Sequence, residues 1–257
     1  MDKPLVSVII PTYGCADTIS CAIESALQQE VNLEIIVVND CSPNDLDATM
    51  KKFSGHPSIR YVHNEKNLGV AQSRNRAIEM AQGRYIAFLD ADDLWKPGKL
   101  KKQIECLNET GHVLCCTARE LIKANGESTG RVLPVKHEIS YRDLLRHNSI
   151  ACSSVLIHTE VAREFPMHHD DSHEDYIMWL EVLKKYKYAS GINEPLLQYR
   201  LSDAGKSGSK LTSARMTFLA YRYMGFGIVK SIVCFASYAV HGIWKYALSR
   251  RGFSHET

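Results

Sequence analysis

The sequence predicts an α/β protein built on a mainly parallel sheet, and three observations carry that prediction. Short apolar runs alternate with segments of helical periodicity through Leu5 to Leu89. Each apolar run ends in turn-forming or polar residues, and the run Tyr85 to Leu89 ends directly in Asp90, Asp92 and Asp93. Strands alternating with helices imply right-handed β-α-β crossovers, and ligands of such sheets sit beyond the carboxyl ends of the strands.

The elements follow in chain order. Leu5 to Ile10 reads as the first strand, and Asp17 to Gln29 as a helix with Ile19, Ala22, Ile23, Ala26 and Leu27 at helical spacing. Leu33 to Val38 is the second strand, Pro43 to Phe53 the next helix, and Ile59 to Val62 a shorter third strand. Val70 to Ala81 is helical and stops at Gly83, which is expected to cap it. Tyr85 to Leu89 has the apolar and aromatic character of a strand buried on both faces. Four loops, Pro11 to Gly14, Asn39 to Ser42, His63 to Asn67 and Asp90 to Asp93, therefore converge on one edge of the sheet.

Carboxylates at such an edge are hard oxygen ligands suited to Mg²⁺ or Mn²⁺, and magnesium takes one or two of them together with substrate phosphates. By itself an Asp-x-Asp pair also fits a loop opening, or Asp93 capping a helix that begins near Pro97. A dinucleotide-binding fold is excluded, because Pro-Thr-Tyr-Gly-Cys-Ala-Asp follows the first strand where G-x-G-x-x-G is required, and no Walker A sequence occurs. Phosphates bound here are held by a metal and side chains.

With 257 residues, 45% hydrophobic and 23% charged, the chain suits one large domain or a domain with an appendage. Eight cysteines without a C-x-x-C pair indicate neither a zinc ribbon nor a disulfide framework, and point to a reducing cytosol. Met1-Asp-Lys-Pro4 leads directly into a strand without the pattern of a signal peptide, so export is not expected. The net charge of +2 hides a division: Ala204 to His255 holds eight Lys and Arg and no Asp or Glu, leaving 23 bases against 29 acids elsewhere. A basic appendage thus follows an acidic domain, and no nucleic-acid partner is expected.

Five segments resemble the family 2 glycosyltransferases, which have the GT-A fold: VSVIIPTY (Val6 to Tyr13), IIVVNDCS (Ile35 to Ser42), NLGVAQSRN (Asn67 to Asn75), GRYIAFLDADD (Gly83 to Asp93) and HEDYIMWL (His173 to Leu180). They occur in the family's order over roughly the first 200 residues. The resemblance implies a nucleotide-diphosphate sugar donor, most often a UDP-sugar, and a divalent cation, Mn²⁺ or Mg²⁺. It implies a catalytic domain over 1–200, with a nucleotide-sugar half (1–110) and an acceptor half (111–200), then a loop (201–212) and a helical tail (213–257). By position, Pro11, Thr12 and Tyr13 would border the nucleobase and ribose, and Asp40 would accept a hydrogen bond from the base. Arg74 would lie near the nucleotide, Asp90 near the ribose or diphosphate, and Asp92 on the metal. Where members of the family often show Asp-Asp-Gly-Ser, this chain has Asn39-Asp-Cys-Ser42, and the missing glycine implies a differently shaped turn.

The segment His168 to Asp175 packs three histidines and four carboxylates ahead of an apolar helix, Tyr176 to Leu183. The resemblance makes Asp175 the general base toward the acceptor hydroxyl, helped to stay ionised by the helix N-terminus, and Glu174 a contact to the acceptor sugar. Alternatively, the imidazoles and an acid form a separate transition-metal site, or the segment is a solvated acidic loop with caps and first-turn charges. Trp179, one turn after Asp175, is either an apolar wall beside the acceptor or an ordinary core residue.

Residues 200–212 are rich in Ser, Gly and Lys. They form either a lid, with Lys206 or Lys210 balancing charge on a departing UDP, or a plain linker. Beyond them Ile228, Val229, Ile232, Val233, Ala236, Val240, Ile243, Trp244, Ala247 and Leu248 recur at helical spacing. The uncharged run Ser231 to Trp244 is too short for a bilayer span, which leaves an amphipathic helix on an anionic membrane surface or a helix packed on the domain.

Together these readings describe an inverting enzyme on the cytoplasmic face of the bacterial inner membrane. It would move galactose or glucose from a UDP-sugar to a polyprenyl-pyrophosphate-linked sugar in O-antigen or capsule assembly. A metal-dependent hydrolase and a non-catalytic nucleotide-sugar-binding membrane protein are the alternatives.

Overall fold

The structure, a computed structural model, describes residues 3–201 and 210–248. The first half contains β1 (Val6–Thr12), α1 (Ile19–Leu27), β2 (Leu33–Asn39), α2 (Leu46–Met50), β3 (Ile59–His63), α3 (Val70–Met80) and β4 (Tyr85–Phe88). β1 pairs in parallel with β2 and β4, and β2 with β3. Every residue of β1, β2 and β4 is buried, as strands covered on both faces require, and the two polar residues inside them are paired, Ser7 Oγ donating to Glu34 Oε1 at 2.7 Å. Alternate residues serve two cores, with Ile9, Ile36 and Phe88 on one face and Val8, Ile10 and Val37 on the other.

The second half, where periodicity defined no strand, extends the same sheet. It contains β5 (Leu94–Trp95), α4 (Lys99–Thr110), β6 (Leu114–Ile122), β7 (Ser128–Leu133), β8 (Glu138–Ser140), α5 (Tyr141–Arg146), β9 (Leu156–His158), α6 (Thr159–Glu164), α7 (Glu174–Tyr186) and β10 (Tyr188–Arg200). β9 lies antiparallel between β4 and β6, and the long β10 runs parallel to β6 with two register shifts. The sheet order is β3-β2-β1-β4-β9-β6-β10-β5. It is parallel through the first half and mixed beyond it.

Several boundaries differ from expectation for identifiable reasons. α2 begins after Asp45, whose carboxylate caps it by accepting the Ala48 N–H at 3.0 Å, so the helix cannot reach back to Pro43. Gly83 is not a helix cap, since Ala81 ends α3 in extended conformation. Its role is close packing, because a Cβ there would stand 2.6 Å from the Ser7 nitrogen. Asp93 caps nothing, because α4 starts only after Gly98. α7 exceeds Tyr176 to Leu183 at both ends.

Two further helices, α8 (Lys210–Tyr223) and α9 (Ile228–Leu248), complete the described chain. α8 buries Met216, Ala220 and Tyr221, and the Tyr221 hydroxyl donates to the Leu145 carbonyl at 2.8 Å. α9 turns Cys234, Phe235 and Tyr238 toward the core and leaves Ile228, Val229, Ile232, Val233 and Val240 exposed. The tail therefore packs on the domain through one face while a second apolar face meets solvent. No described helix is long and apolar enough to cross a membrane.

Candidate active site

The carboxyl end of β4 delivers the acidic loop. The Asp90 N–H donates to Ser153 Oγ at 3.0 Å, and the buried Asp93 accepts the Arg200 N–H at 2.9 Å. Arg200 also donates through Nε to the Asp92 carbonyl at 2.7 Å and through Nη1 to the Ala124 carbonyl at 2.7 Å. The last residue of β10 thus clamps the loop that carries Asp92. Sequence reading missed this clamp; its signal was a lone cation ending an apolar strand, which acquires a partner only through the β6–β10 pairing.

Burial, and then the charge of Asp90, push the Asp92 carboxyl up to about 6. Burial, with Asp90 and Asp92, raises Asp93 as well. Crowded like charges of this kind favour uptake of a cation or a proton. Among the described residues no three His, Cys, Asp or Glu side chains stand ready to hold a metal. One half-buried carboxylate beside a substrate diphosphate nevertheless fits the way Mg²⁺ and Mn²⁺ are held, so Asp92 suits the implied cation. The same observation gives no geometry for a separate transition-metal site among His168, His169 and His173. Instead that loop docks on α8: His169 stacks on Tyr223 with ring centroids 3.6 Å apart, and Asp171 accepts the Tyr223 hydroxyl at 2.6 Å.

Arg74 on α3 joins the acidic loop to α7. It is only 3% exposed, and it donates to Asp90 Oδ1 at 2.5 Å and to Glu174 Oε1 at 2.8 Å. Arg74 therefore acts through these two carboxylates. Glu174 is likewise buried and committed to Arg74, which corrects its expected contact with an acceptor sugar. Asp175, the next residue on α7, is half-buried and accepts the Tyr176 N–H at 2.7 Å. Burial and then Glu174 raise its carboxyl above the ordinary range, against the opposing pull of Arg74 and His173. Trp179 is fully buried, edge-on to Phe88 at 5.8 Å. One turn beyond Asp175 the helix already lies over the sheet, so Trp179 is core and forms no acceptor wall.

The loop after β1 borders a cleft of about 370 Å³ lined by Pro11, Thr12, Tyr13, Asp40, Ser73 and Asp170, among others. Asp40 holds the entry to α3: Oδ1 accepts Asn64 Nδ2 at 2.7 Å and Leu68 N–H at 2.8 Å, and Oδ2 accepts Gly69 N–H at 2.9 Å. Cys41 has φ 61°, the left-handed conformation that favours glycine. The residue that stands where the family often has glycine therefore adopts a backbone conformation that glycine favours. A larger depression, about 800 Å³, lies near Lys3, Arg84, His158 and Arg163. It sits at the amino ends of β1 and β4, the edge opposite to where such sheets place ligands. Lys206 lies outside the described residues, and Lys210 is the first residue of α8.

Residues 7–163 match the family described as Glycosyl transferase family 2. The chain is 35% identical over 246 residues to the Bacillus subtilis glycosyltransferase TuaG, named for teichuronic acid biosynthesis, covering 95% of this chain and 98% of that one. It is 34% identical over 248 residues to the Escherichia coli UDP-Glc:alpha-D-GlcNAc-diphosphoundecaprenol beta-1,3-glucosyltransferase WfaP, covering 96% and 97%. Among solved structures, S. aureus TarS (1-349) in complex with UDP-GlcNAc superposes with a TM-score of 0.70 at 17% identity, over 91% of this chain and 71% of that one. The mannosyltransferase PcManGT from Pyrobaculum calidifontis, in complex with GDP-Man and Mn²⁺, gives 0.69 at 17% identity, over 88% and 66%. With end-to-end relatives, a family match over more than half its length and a sheet of this topology, the chain belongs to glycosyl transferase family 2 and has the GT-A fold.

Proposed function

We propose that the protein is an inverting hexosyltransferase that moves glucose or galactose from a UDP-sugar to a polyprenyl-pyrophosphate-linked glycan, in bacterial O-antigen or capsule assembly. The Arg74 bridge carries this reading, because it ties Asp90 of the acidic loop to Glu174 and so fixes Asp175 beside the same sheet edge. The acceptor hydroxyl attacks the anomeric carbon while Asp175 takes its proton. The bond from that carbon to the diphosphate breaks, UDP departs, and one displacement turns an α-linked donor into a β-linked product. Asp92 would hold Mn²⁺ or Mg²⁺ with the donor diphosphate, and the cation when bound neutralises charge on the leaving group. Support for glucose and for the lipid carrier comes from the names of WfaP and its E. coli counterpart WfgD, both glucosyltransferases acting on GlcNAc-diphosphoundecaprenol.

Incubation with a panel of UDP-sugars and a synthetic pyrophosphate-lipid monosaccharide, read by product mass, tests the proposal. A disaccharide-lipid is expected. Free sugar alone would point to the metal-dependent hydrolase, and UDP binding without transfer to a non-catalytic binding protein. A second measurement addresses the cation. Protonated Asp92 cannot ligate, so Mn²⁺ affinity in the presence of UDP should fall as pH drops through about 6, and in calorimetry Asp92→Asn should reduce this step to the part that protonation of the UDP phosphate itself contributes. Without cation the sign reverses. Because the folded carboxyl titrates above its ordinary 3.8, its stabilising contribution is complete below that value and is lost as pH rises through about 6.

The exposed stripe Ile228, Val229, Ile232, Val233 and Val240, on a segment whose charges are all basic, supports peripheral binding to the cytoplasmic face of an anionic inner membrane. Val229→Glu with Val233→Glu should release the protein from phosphatidylglycerol vesicles in sedimentation while leaving its melting temperature unchanged. Undiminished sedimentation would remove the stripe from membrane binding.

A further inference from the structure

One residue of the nucleoside cleft belongs to the acceptor side of the molecule. Asp170 lies in the connection between α6 and α7, in the same loop that leads to Asp175. Its carboxylate crosses to the start of α3, where Oδ1 accepts the Ala71 N–H at 3.0 Å. The approach is so close that a Cβ on Gly69 would stand 2.5 Å from Asp170 Oδ2. Gly69 also has φ 90°, so glycine is required there on two counts. Asp170 thereby borders the same cleft as Thr12 and Asp40.

Two observations indicate what a ligand would meet. Asp40 already receives three donors, from Asn64, Leu68 and Gly69. A carboxylate offers about four acceptor positions, so most of the capacity of Asp40 is spent on the loop. Thr12, 3% exposed, lines the cleft, and its hydroxyl is buried without a hydrogen-bond partner. Buried hydroxyls are almost always paired, so this one is poised for a ligand group.

We propose that Asp170 is a specificity-determining residue of the nucleoside subsite, receiving with the Thr12 hydroxyl a hydrogen-bond donor of a uridine-type nucleoside. This rests on the UDP-sugar reading given above. The donor is either the base N3–H or a ribose hydroxyl, groups that a carboxylate recognises by the same chemistry.

Calorimetry on the full chain with Mn²⁺ separates the possibilities, using UDP, N3-methyl-UDP and 2′,3′-dideoxy-UDP against wild type, Asp170→Asn and Asp170→Ala. The Asn variant keeps an oxygen to accept the Ala71 N–H and so preserves the loop, while it loses the carboxylate. Asp170→Asn is expected to weaken UDP binding about tenfold, and Asp170→Ala at least as much. Most of that penalty should vanish with whichever analogue lacks the recognised group. UDP affinity within twofold of wild type in the Asn variant would overturn the inference. An equal loss for all three nucleotides would do the same, leaving Asp170 a purely architectural part of the loop. Wild-type protein that binds no UDP would instead overturn the donor reading itself, and this inference with it.

Discussion

Asp175→Asn is expected to lower kcat for glycosyl transfer by about 10² to 10⁴-fold, the usual worth of a positioned general base, with UDP affinity unchanged. The amide matches the carboxylate in shape and still accepts the Tyr176 N–H, so the first turn of α7 is preserved while proton acceptance is lost. Burial and the neighbouring Glu174 raise the Asp175 carboxyl, which makes it a stronger base than a solvated aspartate. The sign for activity follows. Only the ionised form accepts a proton, so kcat should rise with pH through a limb above the ordinary aspartate range, and that limb should be absent from the residual rate of the variant. Its sign for stability is opposite, because a carboxyl raised by folding is best tolerated protonated, and its contribution is lost as pH rises through the folded value. Full activity in the Asn variant would remove Asp175 from the reaction.

Arg74→Met is expected to lower unfolding free energy by about 3–5 kcal/mol in denaturant titrations, the cost of leaving buried charge unpaired. Two carboxylates depend on this guanidinium, Asp90 at 2.5 Å and Glu174 at 2.8 Å. Arg74→Lys should recover only part of the loss, since an ammonium lacks the planar fork that reaches both partners. Pairing Arg74→Met with Glu174→Gln should return a share of the stability without returning transfer activity, because the uncompensated charge is removed while the bridge stays broken. Equal stability of Arg74→Met and wild type would show that the two carboxylates are held by other contacts.

The first half of the fold was legible because its strands are buried on both faces, so β4 is wholly apolar and β1 and β2 are apolar except for Ser7 and Glu34 within them and Thr12 and Asn39 at their ends. Legibility fell beyond Thr110, where β7 and β8 are short and partly exposed and β10 is interrupted by Asn193, Glu194 and Pro195. Such strands owe their existence to pairing with β6 and with each other more than to local pattern. The acidic loop and the carboxylates ahead of α7 were visible as clusters, yet their division of labour was not. Glu174 and Asp175 are adjacent in sequence, and only the rotation of α7 turns one onto Arg74 and leaves the other half-exposed. Trp179 illustrates the same limit, since helical spacing placed it one turn from Asp175 but did not say that this turn lies over Phe88.

Composition, strand periodicity and loop chemistry were sufficient to establish a parallel α/β sheet, the edge where its loops meet, and the acids concentrated there, because these depend on neighbours a few residues apart. The partners of those acids came from long-range packing. Arg74 reaches Glu174 across 100 residues, Arg200 reaches Asp92 across 108, and Asp170 reaches Ala71 across 99. Contacts of that separation are set by how sheet and helices close on one another, and no local pattern encodes them.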